Sequence, residues 1–238
     1  HADGTQLMPT MLFDEPFYLA INQARWDALQ RMMRLAEDAG GPIASVVDLG
    51  CGPGWFAGRL AEQGRGVLGL EGRQGVVEEA RARAPGAQFE TVDFDATGFK
   101  GLPEPADAVL CFGLLYHLEN PIRALRMCRA LCRGTLFLET MIIPEEGALG
   151  RLVPENPNET QGIRPLALIL SPEAIAHAAH ASGFSYIYRM AGAAVGHEDF
   201  IDTSERRRRR EMYLCCDFAV KDPDFALVVP EALRRYRF

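Results

Sequence analysis

Val46-Val47-Asp48-Leu49-Gly50-Cys51-Gly52-Pro53-Gly54-Trp55 is the stretch on which the reading of this chain turns. The β-branched run from Ile43 to Leu49 predicts a short buried strand. Gly50 to Gly54 then predicts a tight turn whose backbone can approach a ligand closely and accept positive φ. Trp55 to Gln63 reads as a helix ended by Gly64. Gly66 to Leu70 predicts the next strand, and Glu71 closes it, 21 positions after Gly50. A carboxylate at that place can take both hydroxyls of a ribose.

The glycine spacing separates two cofactor classes. Dinucleotide binders use Gly-x-Gly-x-x-Gly, with the third glycine for close helix–strand packing. Counting from Gly50 and Gly52, that third glycine falls on Trp55, and the chain instead has Gly-x-Gly-x-Gly. Asp48 stands two residues before the first glycine. Its carboxylate would repel a pyrophosphate but suits the cationic methionine end of S-adenosylmethionine. A nicotinamide oxidoreductase is disfavoured further because Asn120, not Lys, stands four after Tyr116.

Outward from this turn, strand and helix alternate. Phe17, Ile21, Ala24, Ala28, Met32 and Leu35 recur at steps of three or four and predict one face of a helix starting at Asp14 and ending at Gly40-Gly41-Pro42. Arg73 to Ala84 and Asn120 to Cys132 predict helices. Gln88 to Phe94, Ala106 to Phe112 and Thr135 to Ile143 predict strands. Such alternation implies right-handed βαβ crossovers and a parallel sheet. A Gly-, Pro- and Asn-rich stretch from Pro144 to Pro165 reads as a long lid-like loop. Ser171-Pro172-Glu173 opens a helix, with Ser as its N-cap, and Gly183 ends it. Phe184 to Met190 and Glu211 to Val220 read as two closing strands with no helix between them, hence antiparallel at a sheet edge.

At 238 residues the chain suits one domain with decorations. Its expected parts are an N-terminal helical cap (7–42), a cofactor-binding half (43–143), a lid-like loop (144–170) and a C-terminal helix and hairpin (171–238). His1 to Gln6 is set aside as a possible tag remnant. With 32 acidic and 25 basic residues the formal net charge is −7, which argues against a nucleic-acid coat protein. Lys100 and Lys221 are the only lysines, and neither lies in a Schiff-base setting. Cys51, Cys111, Cys128, Cys132, Cys215 and Cys216 form no Cys-x-x-Cys pair and sit in apolar runs, as small buried hydrophobes in a reducing cytoplasm would. No metal-ligand spacing, signal peptide or membrane-spanning run stands out, so metal independence and a cytoplasmic protein are expected. The run Arg206 to Arg210 is read chiefly as edge-strand charge that deters aggregation, with acidic-substrate binding the lesser reading; Arg164 is a separate candidate for an acidic acceptor.

Asp48 to Gly54 resembles the glycine loop of class I S-adenosylmethionine-dependent methyltransferases. The resemblance extends in order through Glu71, Asp93-Phe94-Asp95-Ala96, the stretch Ala108 to Pro121 and the two closing strands, about Ile43 to Val220. It implies a Rossmann-like three-layer α/β sandwich with a seven-stranded, mostly parallel sheet and a C-terminal antiparallel hairpin. It implies cofactor contacts from Asp48, Gly50, Cys51, Gly52, Gly54, Glu71, Gly72, Asp93, Phe94, Asp95, Cys111 and Phe112, with either Asp93 or Asp95 on the adenine amino group. The segment Thr97 to Pro105 is shorter than the covering helix that family members often have there. The implied function is bacterial-type methyl transfer from S-adenosylmethionine, leaving S-adenosylhomocysteine, to an O or N atom of a small molecule or glycan. His117 is the first candidate general base and Tyr116 the second; Glu139 and His197 are outside candidates. The Leu115-Tyr116-His117 stretch also resembles the tRNA wobble-uridine carboxymethyltransferases, which makes a tRNA-modifying enzyme the alternative. A non-enzymatic cofactor-binding module is a third. A monomer or homodimer is expected.

Overall fold

The computed structural model describes residues 11–96, 103–156 and 158–228. Most of the Thr97 to Pro105 segment, Pro157 and both chain ends, with the suspected tag remnant, lie outside the described residues. The elements alternate as the sequence pattern predicts. They are α1 (Pro16–Gly40), β1 (Ser45–Leu49), α2 (Trp55–Glu62), β2 (Gly66–Glu71), α3 (Gln74–Arg83), β3 (Gln88–Thr91), β4 (Ala106–Phe112), α4 (Pro121–Leu131), β5 (Cys132–Met141), β6 (Gly150–Pro154), β7 (Leu166–Leu170), α5 (Pro172–Ala181), β8 (Tyr186–Met190), α6 (Gly192–Val195), β9 (Arg210–Cys216) and β10 (Phe225–Leu227).

The central sheet has the order β10-β8-β9-β5-β4-β1-β2-β3. β3, β2, β1, β4 and β5 are parallel neighbours. β9 pairs antiparallel with β5 and β8, and β10 antiparallel with β8. The described sheet therefore has eight strands rather than seven, because Phe225–Leu227 adds an outer strand beyond the predicted hairpin. One face is covered by α1, α2 and α3, whose Met32, Leu60 and Val77 join one apolar cluster. The other is covered by α4 and α5, whose Leu125 and Ile175 join a second. The strand order reverses at β1, which has β2 on one side and β4 on the other, so the carboxyl ends of β1 and β4 open a crevice at the switch point.

Three expectations change. The stretch from Pro144 to Pro165 is not all loop: β6 lies within it and pairs antiparallel with β7, from Gly150↔Leu170 to Pro154↔Leu166, as a separate two-stranded sheet. Its alternation, Arg151-Leu152-Val153, is too short between glycine and proline signals to stand out. Helix α4 stops at Leu131, so Cys132 begins β5. The arginine run does not decorate an edge. Only Arg210 belongs to β9, which lies between β5 and β8. Arg206 pairs with Glu198 and Asp199, Arg207 with Asp202, and Arg208 with Asp202 and Glu211. These pairs fasten the loop before β9.

The glycine turn is built as its composition demands. Gly50 has φ +71° and Gly54 φ +83°, the left-handed region that side chains disfavour. A Cβ on Gly50 would also lie 2.8 Å from the Leu114 Cβ. Trp55, at the position where a dinucleotide motif needs glycine, packs edge-on to Trp26 of α1, with Arg59 over its ring at 3.9 Å. The turn is held tightly from beneath. A Cβ on Gly69 of β2 would come within 2.5 Å of the buried Phe89 ring and 2.8 Å of the Cys51 sulfur. Gly69→Ala is therefore expected to cost about 1–3 kcal/mol by overpacking, read as a fall in Tm; an unchanged Tm would mean that the layer under the turn yields freely.

Candidate active site

Two cavities meet at the switch point. The larger, about 770 Å3, is bounded by α1, the glycine turn, the end of β4, and Tyr116, His117, Glu155 and Arg210. The narrower cleft, lined by Glu71, Gly72, Asp93 and Phe94, shares Gly50, Gly52, Gly113 and His117 with it. Of the positions proposed for the cofactor, Asp95 and Cys111 line neither cavity, and the others fall into two groups. Asp48, Cys51, Gly54 and Phe112 line the large cavity, and Glu71, Gly72, Asp93 and Phe94 the cleft.

Glu71 accepts hydrogen bonds from the backbone N–H groups of Gly52 (3.3 Å) and Arg73 (3.0 Å), which pins its carboxylate beside the turn. Asp93 and Asp95, indistinguishable in sequence, differ in place. Both Asp95 oxygens accept backbone N–H groups that lead into α4, from Glu119 (3.0 Å) and Asn120 (3.2 Å). Asp93 faces the cleft and is paired with Arg164. Cys111 lines neither cavity. It is fully buried on the opposite face of the sheet against α4, where its hydrogen bond with Cys128, followed by burial, pushes the Cys128 thiol up.

Asp48 is the unusual member. It is buried at the end of β1, and its Oδ2 has no hydrogen-bond partner. Burial first, and the charge of Glu71 second, push its carboxyl up to about 7. A buried carboxylate oxygen without a donor is costly unless something else faces it. Together with the open glycine turn, it fits a ligand that carries a cation to Asp48 and a ribose diol to Glu71.

On the far wall, His117 Nδ1 lies 3.0 Å from Glu155 Oε1, and the other Glu155 oxygen accepts the Gly162 N–H at 2.9 Å. Burial pushes the Glu155 carboxyl up, but the hydrogen bonds from His117 and Gly162 and the nearby Arg73 guanidinium outweigh it, leaving the group below its ordinary 4.5. The segment that carries Glu155 covers the cleft with Thr160, Gln161, Gly162 and Ile163. Arg73 Nη2 donates to the carbonyls of Asn158, Gln161 and Gly162 at 2.9, 2.7 and 3.1 Å and so ties that segment down.

Below, the fully buried Glu139 accepts from Arg25 (2.8 Å), Arg210 (3.0 Å) and the Gly113 N–H (2.9 Å). Arg210 also donates to the Tyr116 hydroxyl at 3.1 Å. His197 lines the large cavity, but its Nδ1 accepts the Asp199 N–H at 3.2 Å and caps a short turn. The sequence reading missed Arg25 and Glu155 and counted Arg210 with the edge-strand charge of the arginine run. None has a local signal, since each acquires its role from a partner at least 38 residues away. Among the described residues no cluster of three or more His, Cys, Asp or Glu could hold a metal ion. No helix among them is long and apolar enough to cross a membrane.

The strand order, the switch-point crevice and the glycine turn define a Rossmann-like domain for a nucleotide-containing cofactor. Residues 47–138 match the family described as "Methyltransferase domain". A ubiquinone biosynthesis O-methyltransferase of Xanthomonas campestris pv. campestris (strain B100) is 30% identical over 128 residues, 51% of this chain and 51% of that protein. The enzyme of that name from Aliivibrio fischeri (strain ATCC 700601 / ES114) is 32% identical over 117 residues, 47% of this chain and 50% of that one. The chain spans about half the length of the curated relatives it matches. The solved N-terminal domain of EvdMO1 with SAH bound has a TM-score of 0.61 at 22% identity, over 82% of this chain and 80% of that one. Magnesium protoporphyrin IX methyltransferase from Synechocystis PCC 6803 with bound SAM has a TM-score of 0.55 at 18% identity, over 88% and 86%. At these identities the solved structures share the fold.

The Asp48 environment has a pH signature. Its folded-state pKa, about 7, lies above the ordinary 3.8. The neutral form is thus favoured by folding, and the stability it confers is complete below 3.8 and lost as pH rises through about 7. Asp48→Asn cannot ionise, so the ligand-free variant is expected to gain Tm over the parent at pH 8 and to gain less at pH 5. An equal gain at both would show that the carboxylate is solvated.

Proposed function

We propose that this protein is an S-adenosylmethionine-dependent methyltransferase acting on a hydroxyl oxygen of a small molecule. The observation that carries the reading is the buried, unpartnered Asp48 Oδ2 at the foot of the glycine turn, opening on a cavity that also holds His117. An acid in that place suits a cationic ligand, which NAD does not present there. Glu71 and Asp93 in the cleft suit the ribose and the adenine amino group, Asp93 by exchanging Arg164 for the ligand. The relatives from Xanthomonas campestris and Aliivibrio fischeri are O-methyltransferases, which supports oxygen as the acceptor atom.

S-adenosylmethionine supplies an activated methyl group on a sulfonium, so the chain's own task is mainly alignment. Holding two reactants in line can lower a barrier by about 7–11 kcal/mol. A hydroxyl must also lose its proton as the new O–C bond forms. His117 lines both cavities and takes that proton, a role worth about 10²–10⁴-fold. Tyr116 is held by Arg210 and shapes the floor on which the acceptor rests.

Thermal denaturation with S-adenosylhomocysteine, and separately with NAD, tests this reading. Ligand at about 100 times its Kd adds about 2.7 kcal/mol. S-adenosylhomocysteine alone is expected to raise Tm by about 5–10 °C. His117→Ala is expected to keep that rise while losing transfer of labelled methyl to any hydroxyl acceptor that the parent accepts. A rise with NAD and none with S-adenosylhomocysteine would overturn the assignment.

A further inference from the structure

We infer that Glu155 is a positioning residue that fixes His117 as the tautomer protonated on Nδ1, and that the segment covering the cofactor cleft thereby completes the base. The inference rests on the reading of His117 as the base.

The hydrogen bonds leave little freedom. Glu155 presents one oxygen to His117 Nδ1 at 3.0 Å and the other to the Gly162 N–H at 2.9 Å. Its side chain is 6% exposed, so both oxygens are largely withdrawn from water. An ionised carboxylate only accepts hydrogen bonds, and the contacts around Glu155 hold its carboxyl below the ordinary value. The proton between the two groups therefore belongs to His117 Nδ1. A neutral imidazole so protonated carries its lone pair on Nε2. That is the nitrogen left to receive a proton from an acceptor hydroxyl.

The carboxylate reaches His117 only because its own segment is closed. Glu155 follows β6 directly, and its N–H donates to the Pro165 carbonyl at 2.9 Å across the neck of the 155–165 loop. Arg73 holds the same loop over the cleft through the carbonyls of Asn158, Gln161 and Gly162. Gly162 packs so closely on the His117 backbone that a Cβ would lie 2.6 Å from the His117 carbonyl oxygen. Covering the cofactor cleft and orienting the base are thus tasks of one segment. An open segment would leave His117 without the acceptor that selects its tautomer.

A plainer account makes Glu155 a latch that only holds the loop. Glu155→Gln separates the two. In the variant the amide oxygen must remain with the Gly162 N–H, because that partner is a donor. The amide NH2 group then faces His117 Nδ1 and forces it to accept, which moves the ring proton to Nε2. The latch survives with both hydrogen bonds, and the tautomer inverts.

The test is nitrogen NMR of the histidine rings in uniformly 15N-labelled protein with S-adenosylhomocysteine, at alkaline pH, with His117 assigned by its loss in His117→Ala. The parent is expected to show His117 protonated on Nδ1 and Glu155→Gln to show it protonated on Nε2. Calorimetry is expected to give S-adenosylhomocysteine affinities for the two proteins within about threefold. A parent His117 protonated on Nε2, or a Glu155→Gln variant with an unchanged tautomer, overturns the inference. Absence of S-adenosylhomocysteine binding by the parent would instead overturn the proposed function, since the tautomer is read independently of turnover.

Discussion

The floor of the site hangs on one buried carboxylate. Glu139, on β5, is fully enclosed, and taking such a charge out of water costs several kcal/mol unless its oxygens are well supplied with donors. Three elements supply them: Arg25 from α1, Arg210 from β9 and the Gly113 N–H just past β4. Burial pushes the Glu139 carboxyl up, but the charges and hydrogen bonds of the two arginines outweigh it and hold it below 4.5. Its contribution to stability is accordingly present above 4.5 and lost as pH falls through the lower folded-state value. Arg210 spends a further donor on Tyr116, so the helix that caps the cavity, the sheet beneath it and the ring at its floor share one electrostatic joint. Loss of either arginine would leave the buried carboxylate with one guanidinium against the same desolvation cost.

Much of the fold was legible because its signals are local. The β-branched run before Gly50, the three glycines, Pro121 and Pro172 at helix starts and the apolar spacing of α1 each announce their element within a few residues. Glu71 could be read as well, because its role depends on ending a strand beside the turn. The arginine run misled for the same reason. Locally it resembles solvated edge charge, yet Arg210 is drawn into the core by Glu139, 71 residues away. Glu155 was invisible within its Pro- and Asn-rich surroundings, since only the β6–β7 pairing carries it to His117. Asp93 and Asp95 show the limit most plainly. They are two residues apart with the same chemistry, and only the backbone donors of the α4 start draw one aside.

The site also shows where the chain accepts a cost. Glu139 and Glu155 have both carboxylate oxygens supplied with donors, and both groups sit below their ordinary pKa. Asp48 is equally buried and sits above it, with Oδ2 unsupplied. Among the described residues the other buried orphan beside the cavity is a donor, the Nε of Arg25. Packing could have removed either: a shorter side chain at 48 or a partner beside Arg25 would leave a more stable apo protein. The Nε atoms of Arg65, Arg164 and Arg206 are buried and unpaired too, so it is the gathering of two such atoms on one cavity that is the departure functional sites make. Asp48 Oδ2 and Arg25 Nε belong to residues that line one cavity, an acceptor under the glycine turn and a donor on the capping helix. A ligand carrying a cation and an anion on its two sides would relieve both, and the binding energy so released is not available to a neutral molecule of the same size.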